Sequence, residues 1–232
     1  MPPRFLAAVF WTCLIAALPP ASARSAENGS DRSALHFLNR LAFGPTLEEL
    51  RHVEAIGADR YIEEQLDPQA IPEPPELTAK LTALDTLQLD PAELFEIYGP
   101  HRLPGEIKAS AEEIKARRER ARVIIRQAAE ARILRATLSR RQLQEVMVDF
   151  WYNHFNVFAG KGLDHLWIGS YEQQAIRPYA LGKFGELLLA TARHPAMLFY
   201  LDNAQNSAPG SRGPGGRELG LNENFARERR GG

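Results

Sequence analysis

Cysteine is nearly missing: Cys13 is the only one in 232 residues. It lies inside the first apolar run. The rest of the chain therefore has no disulfide, no thiol nucleophile and no thiolate metal site. A second apolar run of membrane-spanning length is also missing, so no transmembrane helix is expected after the first 23 residues. No stretch alternates with period two among β-branched residues, which argues against a sheet. The six histidines form no His-x-x-x-His or His-Glu-x-x-His pair, and there is no local zinc motif. Gly-x-Ser-x-Gly and the phosphate-binding Walker loop are absent as well. The glycines of 210–216 precede no apolar helix, and composition marks 206–217, "NSAPGSRGPGGR", as a flexible loop.

The amino terminus carries an export pattern. Arg4 supplies positive charge, Phe5 to Leu18 form an apolar run, and Pro19-Pro20 break it. Ala21-Ser22-Ala23 place small residues at a cleavage site before Arg24. Residues 1–23 read as a secretory signal peptide, and residues 24–232 as the exported chain, in the periplasm or outside the cell. The context "FWTC" lacks the small residues that precede a lipidated cysteine. What remains is long enough for one sizeable core or two small ones.

Charge is close to balanced overall, at −1, but unevenly placed. Residues 46–100 hold 13 acidic and 3 basic side chains; residues 101–140 hold 11 basic and 5 acidic. The basic side chains are interrupted by glutamates, and an exported chain meets little nucleic acid. The expectation is a solvated helix, partly neutralised by the acidic segment before it, with no nucleic-acid partner.

Helical signals run almost throughout, which predicts an all-α fold. Asp31 is placed to cap a helix carrying Leu35, Leu38 and Leu41. Thr46 and Glu49 make a capping box for a helix that stops at Gly57, and "DRYIEEQL" forms a short helix ended by Asp67-Pro68. Residues 68–76, "PQAIPEPPE", read as an extended connector. Asp90-Pro91-x-Glu93 starts a helix that Gly99-Pro100 ends.

Residues 105–138 form the longest predicted helix. Ile107, Ile114, Ala121 and Ala128 repeat every seven, with Ala111 and Ile125 beside them. So narrow a stripe suits a projecting arm rather than a fully buried helix. Ser139 with Gln142 reads as another capping box, opening a helix through Leu143, Val146, Met147 and Phe150. Further helices are expected at 164–176, 178–193 and 195–201. The predicted core comprises Leu35, Leu38, Leu50, Leu143, Val146, Phe150, Phe155, Leu187, Leu188 and Leu198.

Chemistry concentrates in "DFWYNHFNVFAG", residues 149–160. On a continuous helix Asp149, Asn153 and Asn156 share one face, with Trp151, His154, Phe155 and Phe158 on an adjoining one. Such a strip suits a hydrophilic ligand or a stacked sugar ring. It equally suits hydrogen bonds to a neighbouring backbone, because buried polar groups must be paired. His154, His165, Asp164 and Asp202 can meet only through folding. Asp202, Asn203, Asn222, Glu223 and Asn224 supply oxygen and amide groups of the kind that bind polar ligands; the same residues also make caps and Asx-turns.

"FLNRLAFGPTLEEL", "LQEVMVDFWYNHFNVFAGKG", "YEQQAIRPYALGKFGELLLATARHPAMLFYLDN" and "GLNENFARE" resemble, in order, the bacterial domain-of-unknown-function family 1800. The resemblance covers residues 33–228. It implies export and a genomic neighbour, domain-of-unknown-function family 1501, as a co-exported partner. It implies no reaction, cofactor or catalytic residue. It also implies that the family continues beyond "LNENFARE", so a C-terminal part is expected to be missing after Arg229-Arg230-Gly231-Gly232. Two functions are carried forward. One is a non-catalytic assembly or binding factor acting through the helix at 105–138. The other is an exported hydrolase of a polar envelope or polysaccharide substrate. In that case Asp149 and His154 act as acid and base, and Asn153, Asn156, Asp202, Asn203, Asn222, Glu223 and Asn224 hold substrate.

Overall fold

Helix ends fall where a side chain takes over unpaired backbone groups. The computed structural model describes residues 33–100, 110–203, 206–208, 210–212 and 220. Helix α1 covers 33–41; Asp31, its expected cap, lies outside the described residues. Helix α2 is Leu47–Ile56. The Thr46 hydroxyl accepts from the Glu49 N–H, and the Glu49 carboxylate accepts from the Thr46 N–H, each at 3.1 Å. Gly57, at φ 85, closes α2, and α3, Ala58–Leu66, follows at once. The proline-rich connector is shorter than expected. Pro68–Ala70 makes a 3-10 turn and α4 begins at Pro75, spanning Pro75–Thr82. A proline in the first helical turn loses no hydrogen bond, so this sequence starts a helix as readily as it interrupts one. Helix α5, Pro91–Tyr98, carries the Asp90–Glu93 capping box and stops at Gly99.

Helix α6, Ala111–Leu138, is the spine, and Ser110 with Glu113 caps it. The expected residues 105–109, with Ile107, lie outside the described ones. The arm is confined to the first ten residues, 111–120, all exposed except half-buried Arg117. From Ala121 onward the helix enters the core through Ala121, Ile124, Gln127 and Ala131. The seven-residue stripe is therefore corrected: Ile114 and Ile125 are 39% and 40% exposed. At 100° per residue Ile114 and Ile125 lie about 80–100° round the helix from Ile124, which faces the core.

The capping box expected at Ser139 does not form. Ser139 ends α6, and its hydroxyl accepts from Arg141 N–H at 3.0 Å and donates to Glu73 at 2.8 Å. Helix α7, Gln142–His154, takes its cap from elsewhere: Leu143 N–H donates to Gln65 Oε1 at 3.1 Å. Helix α8, Ile168–Tyr171, lies in a nearly continuous helical run. A 3-10 turn, Asp164–Leu166, precedes it, and a π-helical turn, Glu172–Ile176, and a 3-10 turn, Arg177–Tyr179, follow. Pro178 has no N–H to donate, so the regular ladder cannot continue through it. Helix α9, Phe184–Arg193, starts later than the expected 178, and α10 is Pro195–Tyr200. No strand occurs among the described residues.

Two cores result. The smaller joins Ala34, Leu38, Val53 and Tyr61 of α1–α3. The larger gathers Leu94, Ile124, Val148, Leu166, Trp167, Tyr171 and Ile176 around α6. Leu38, Leu143 and Leu187 are buried as predicted; Leu50, Val146, Phe155, Leu188 and Leu198 are half-buried. Leu35 and Phe150 are corrected, at 37% and 53% exposed. Each sits about 100° round its helix from a neighbour that faces the core, Ala34 or Trp151. Polar bonds clip the small core to the α6–α7 corner: Phe43 N–H to Gln142 Oε1 (3.1 Å) and Gln65 Nε2 to Arg140 O (2.9 Å). Beside these clips lies an open cleft of about 980 Å³.

Candidate functional site

Helix α7 sets Asp149 and Asn153 one turn apart. Asn153 Nδ2 donates to Asp149 O at 2.9 Å and to Asp149 Oδ2 at 3.3 Å. Asp149 Oδ1 accepts from Arg132 Nη2 at 3.2 Å. The helix ends at His154, and Phe155 turns away at φ −95, ψ 49. Asn156 therefore leaves the helical row in which the sequence set it, and stands exposed. His154 is five residues beyond Asp149, about 140° round the helix. It too is exposed, with its ring 6.2 Å from Phe150, 5.7 Å from Trp151 and 4.7 Å from Phe155. No hydrogen bond joins Asp149 to His154.

Asp149 is the outer member of a charge network. Arg132 reaches it and also Glu172, at 2.9 Å. Arg177 binds Glu145 with two nitrogens, at 2.6 and 2.9 Å, and Glu172 at 3.1 Å. Arg135 donates to Gln173 at 2.9 Å, and its buried Nη1 has no hydrogen-bond partner but lies 3.9 Å from Glu172 Oε1. Burial, and then the neighbouring Arg177, push the Arg135 guanidinium down to about 10. Glu145 and Glu172 are 5% and 4% exposed. The π-helical turn begins at Glu172, and Arg177 N–H closes it on Glu172 O. Opposite charges balance inside the network, and its geometry is that of a structural tie between α6, α7 and the π turn.

A second polar junction forms where the loop after α7 meets the end of α10. Lys161 Nζ donates to Asp202 Oδ2 at 3.0 Å and to Tyr200 O, and lies 5.3 Å from the Tyr200 ring centre. Asp202 holds φ 56, a left-handed conformation that a non-glycine residue adopts rarely. Asp164 is 1% exposed, and its Oδ1 has no hydrogen-bond partner. Burial pushes its carboxyl up to about 7; Lys161 opposes that rise and Asp202 adds to it. Asn203 is half-buried, and its Oδ1 accepts from Asn206 Nδ2. His165 turns to Gly162 O at 3.1 Å, and burial lowers its pKa.

The fold thus brings Asp202 to Asp164 and keeps Asp149 in the arginine network. Lys161 joins the junction without any sequence signal beyond the "GKG" turn, where Gly162 has φ 52. Asn222, Glu223 and Asn224 lie outside the described residues. Among the described residues, no group of three or more His, Cys, Asp or Glu is arranged to hold a metal ion.

The family described as "Protein of unknown function (DUF1800)" matches this chain over residues 36–229. Neither the curated proteins nor the solved structures give a match.

Proposed function

We propose, since this chain belongs to the DUF1800 family of proteins of unknown function, that it is exported and acts by binding, as an assembly factor for a co-exported partner. The exposed start of α6 carries this reading. Residues 111–120 bear Lys115, Arg117, Arg118 and Arg120, and none of these makes an ion pair among the described residues. A ten-residue helix alone is marginal in water. Here it continues the packed part of α6, so a partner meets a preformed surface and less ordering entropy opposes binding. The partner class is a co-exported protein of domain-of-unknown-function family 1501.

The test is titration calorimetry of the full chain with that partner. Lys115→Glu with Arg118→Glu should weaken binding at least about tenfold, the scale of losing about 1.4 kcal/mol. Unchanged affinity would overturn the reading. Export has its own check. Protein recovered from outside the cytoplasm should begin at Arg24, and an intact Met1 in the cytoplasm would contradict it.

One observation supports a second reading, an exported hydrolase of a polar envelope substrate. Asp164 is a buried carboxyl held near pH 7 beside Lys161 and Asp202, a setting suited to proton transfer. In this reading Asp149 and His154 remain the acid and base candidates on α7. Asp164→Asn, Asp149→Asn and His154→Ala should each leave a folded chain; loss of hydrolysis in any of them on envelope polysaccharide supports the reading. No turnover by the unaltered chain removes it.

A further inference from the structure

Of the basic segment 101–140, Arg140 meets the acidic segment 46–100 through Glu48 at 3.1 Å, but the first half of α6 does not. No ion pair joins residues 111–126 to residues 46–100 among the described residues; the ion pair within 111–126 is Arg122 with Glu119 at 3.1 Å. Over residues 111–126 six basic side chains stand against Glu112, Glu113 and Glu119, a surplus of three; the arm itself, 111–120, holds four of the six against the same three. A negative surplus collects at the cleft of about 980 Å³ between α2–α3 and the end of α6. Five carboxylates line that cleft against two guanidiniums, Arg60 and Arg140. Glu48 is bound to Arg140 at 3.1 Å, Glu64 meets His52 at 2.8 Å, and Glu49 serves the α2 cap. Glu63 and Asp67 have no ion pair among the described residues. The cleft holds a little over two turns of helix, taking a helix as roughly 10 Å across with 5.4 Å per turn.

The two surfaces belong to opposite ends of one rigid element. Lys115 lies near the start of α6, and Leu138, which lines the cleft, ends it. At 1.5 Å per residue they are about 35 Å apart, several Debye lengths at physiological salt. The arm cannot fold back into its own cleft without breaking α6 where it is buried. Only another molecule can join the two charges.

We infer that this chain associates with itself head to tail, the basic arm of one copy seated in the acidic cleft of the next. This rests on the reading of the arm as a protein-binding element. It adds that one occupant of the complementary surface is a second copy. The contact is heterologous, so it closes into a ring or runs on as an open row. Its charges lie at the surface, so salt weakens it.

The experiment is sedimentation equilibrium of the full chain, without partner, across concentration at low salt and at about 0.5 M salt. Concentration-dependent association at low salt, weakened at least tenfold at high salt, is expected. Lys115→Glu with Arg118→Glu should abolish it, and so should Glu63→Lys with Asp67→Lys. Mixing these two variants should restore it, because an acidic arm then meets a basic cleft and a basic arm an acidic one. Circular dichroism of each variant checks folding. The milder pair Lys115→Gln with Arg118→Gln, expected to be intermediate, substitutes for a variant that fails to fold. A chain that stays monomeric at low salt, or variants that do not rescue each other, overturns the inference. If that monomer still captures the partner through the arm, self-association fails and the binding reading stands. If self-association holds while the partner ignores the arm, the reverse is true.

Discussion

His194 caps α10 with an imidazole. Its Nδ1 accepts from Ala196 N–H at 3.2 Å, so that nitrogen must stay unprotonated. Its Nε2 is buried without a partner, and burial lowers the pKa to about 4. Between pH 4 and 6.5 the unfolded histidine binds a proton that the folded one refuses. Stability from this group is therefore complete above 6.5 and falls as pH drops to 4, by about 3 kcal/mol. Asp164 has the opposite sign. Its folded carboxyl, near 7, keeps a proton that the unfolded chain releases above 3.8, so stability from it falls as pH rises through 7. The two slopes oppose each other across mildly acidic pH. His194→Asn keeps a cap acceptor and should lose stability steadily as pH rises from 4 to 6.5; Asp164→Asn should gain it over that range. Urea midpoints at several pH values decide this, and profiles parallel to the unaltered chain would refute both assignments. Glu172 answers to the same burial physics. It is 4% exposed and contacts Arg132, Arg135 and Arg177. Glu172→Gln should cost about 3–5 kcal/mol, because it strands buried guanidiniums. A loss under about 1 kcal/mol in urea unfolding would mean that solvent or a rearranged partner takes over.

Helix α6 does two jobs along one length, and substitutions should separate them. Ile114 on the arm is 39% exposed; Ile124, ten residues on, is 1% exposed. Ile114→Ala should change stability by less than about 0.5 kcal/mol, and Ile124→Ala should cost about 2–5 kcal/mol. Equal effects in thermal unfolding would mean that the arm packs as the spine does. The contact of α8 with α6 depends on a missing side chain. A Cβ at Gly169 would lie 2.9 Å from Leu87 Cδ2 and 3.5 Å from Ala128 Cβ. The Leu87 methyl is the far end of a flexible side chain, so a small shift should leave Gly169→Ala near neutral once helix propensity is counted. Gly169→Val should cost about 1–3 kcal/mol by overpacking. Denaturant midpoints of the pair test whether close helix approach, rather than backbone freedom, is what that glycine supplies.

Across the whole molecule, two cores are joined by a polar seam, and Gln65 is its central stitch. It is 4% exposed, donates to Arg140 O and accepts from Leu143 N–H. Gln65→Leu should loosen residues 33–66 in hydrogen exchange while 121–180 stay protected, at a cost of about 1–3 kcal/mol. Uniform loosening would show one cooperative core. The sequence by itself determined what is local. Thr46 and Asp90 cap helices as read, because a capping box closes within four residues; Ser110 with Glu113 has the same pattern, though the helix was expected to start at 105. The all-α class and the exposed charge of the α6 arm were legible for the same reason: each follows from neighbours along the chain. What is joined across many residues was not legible. Ser139 offered the same capping pattern before α7, yet Gln65 caps that helix from the far side of the cleft, and Ser139 bonds Glu73 instead. Lys161 and Asp202 meet across 41 residues, and Asn156 left its predicted row because α7 stops at His154. These were decided by tertiary structure, because a polar group takes whichever partner the packing of distant apolar faces brings within 3 Å or so.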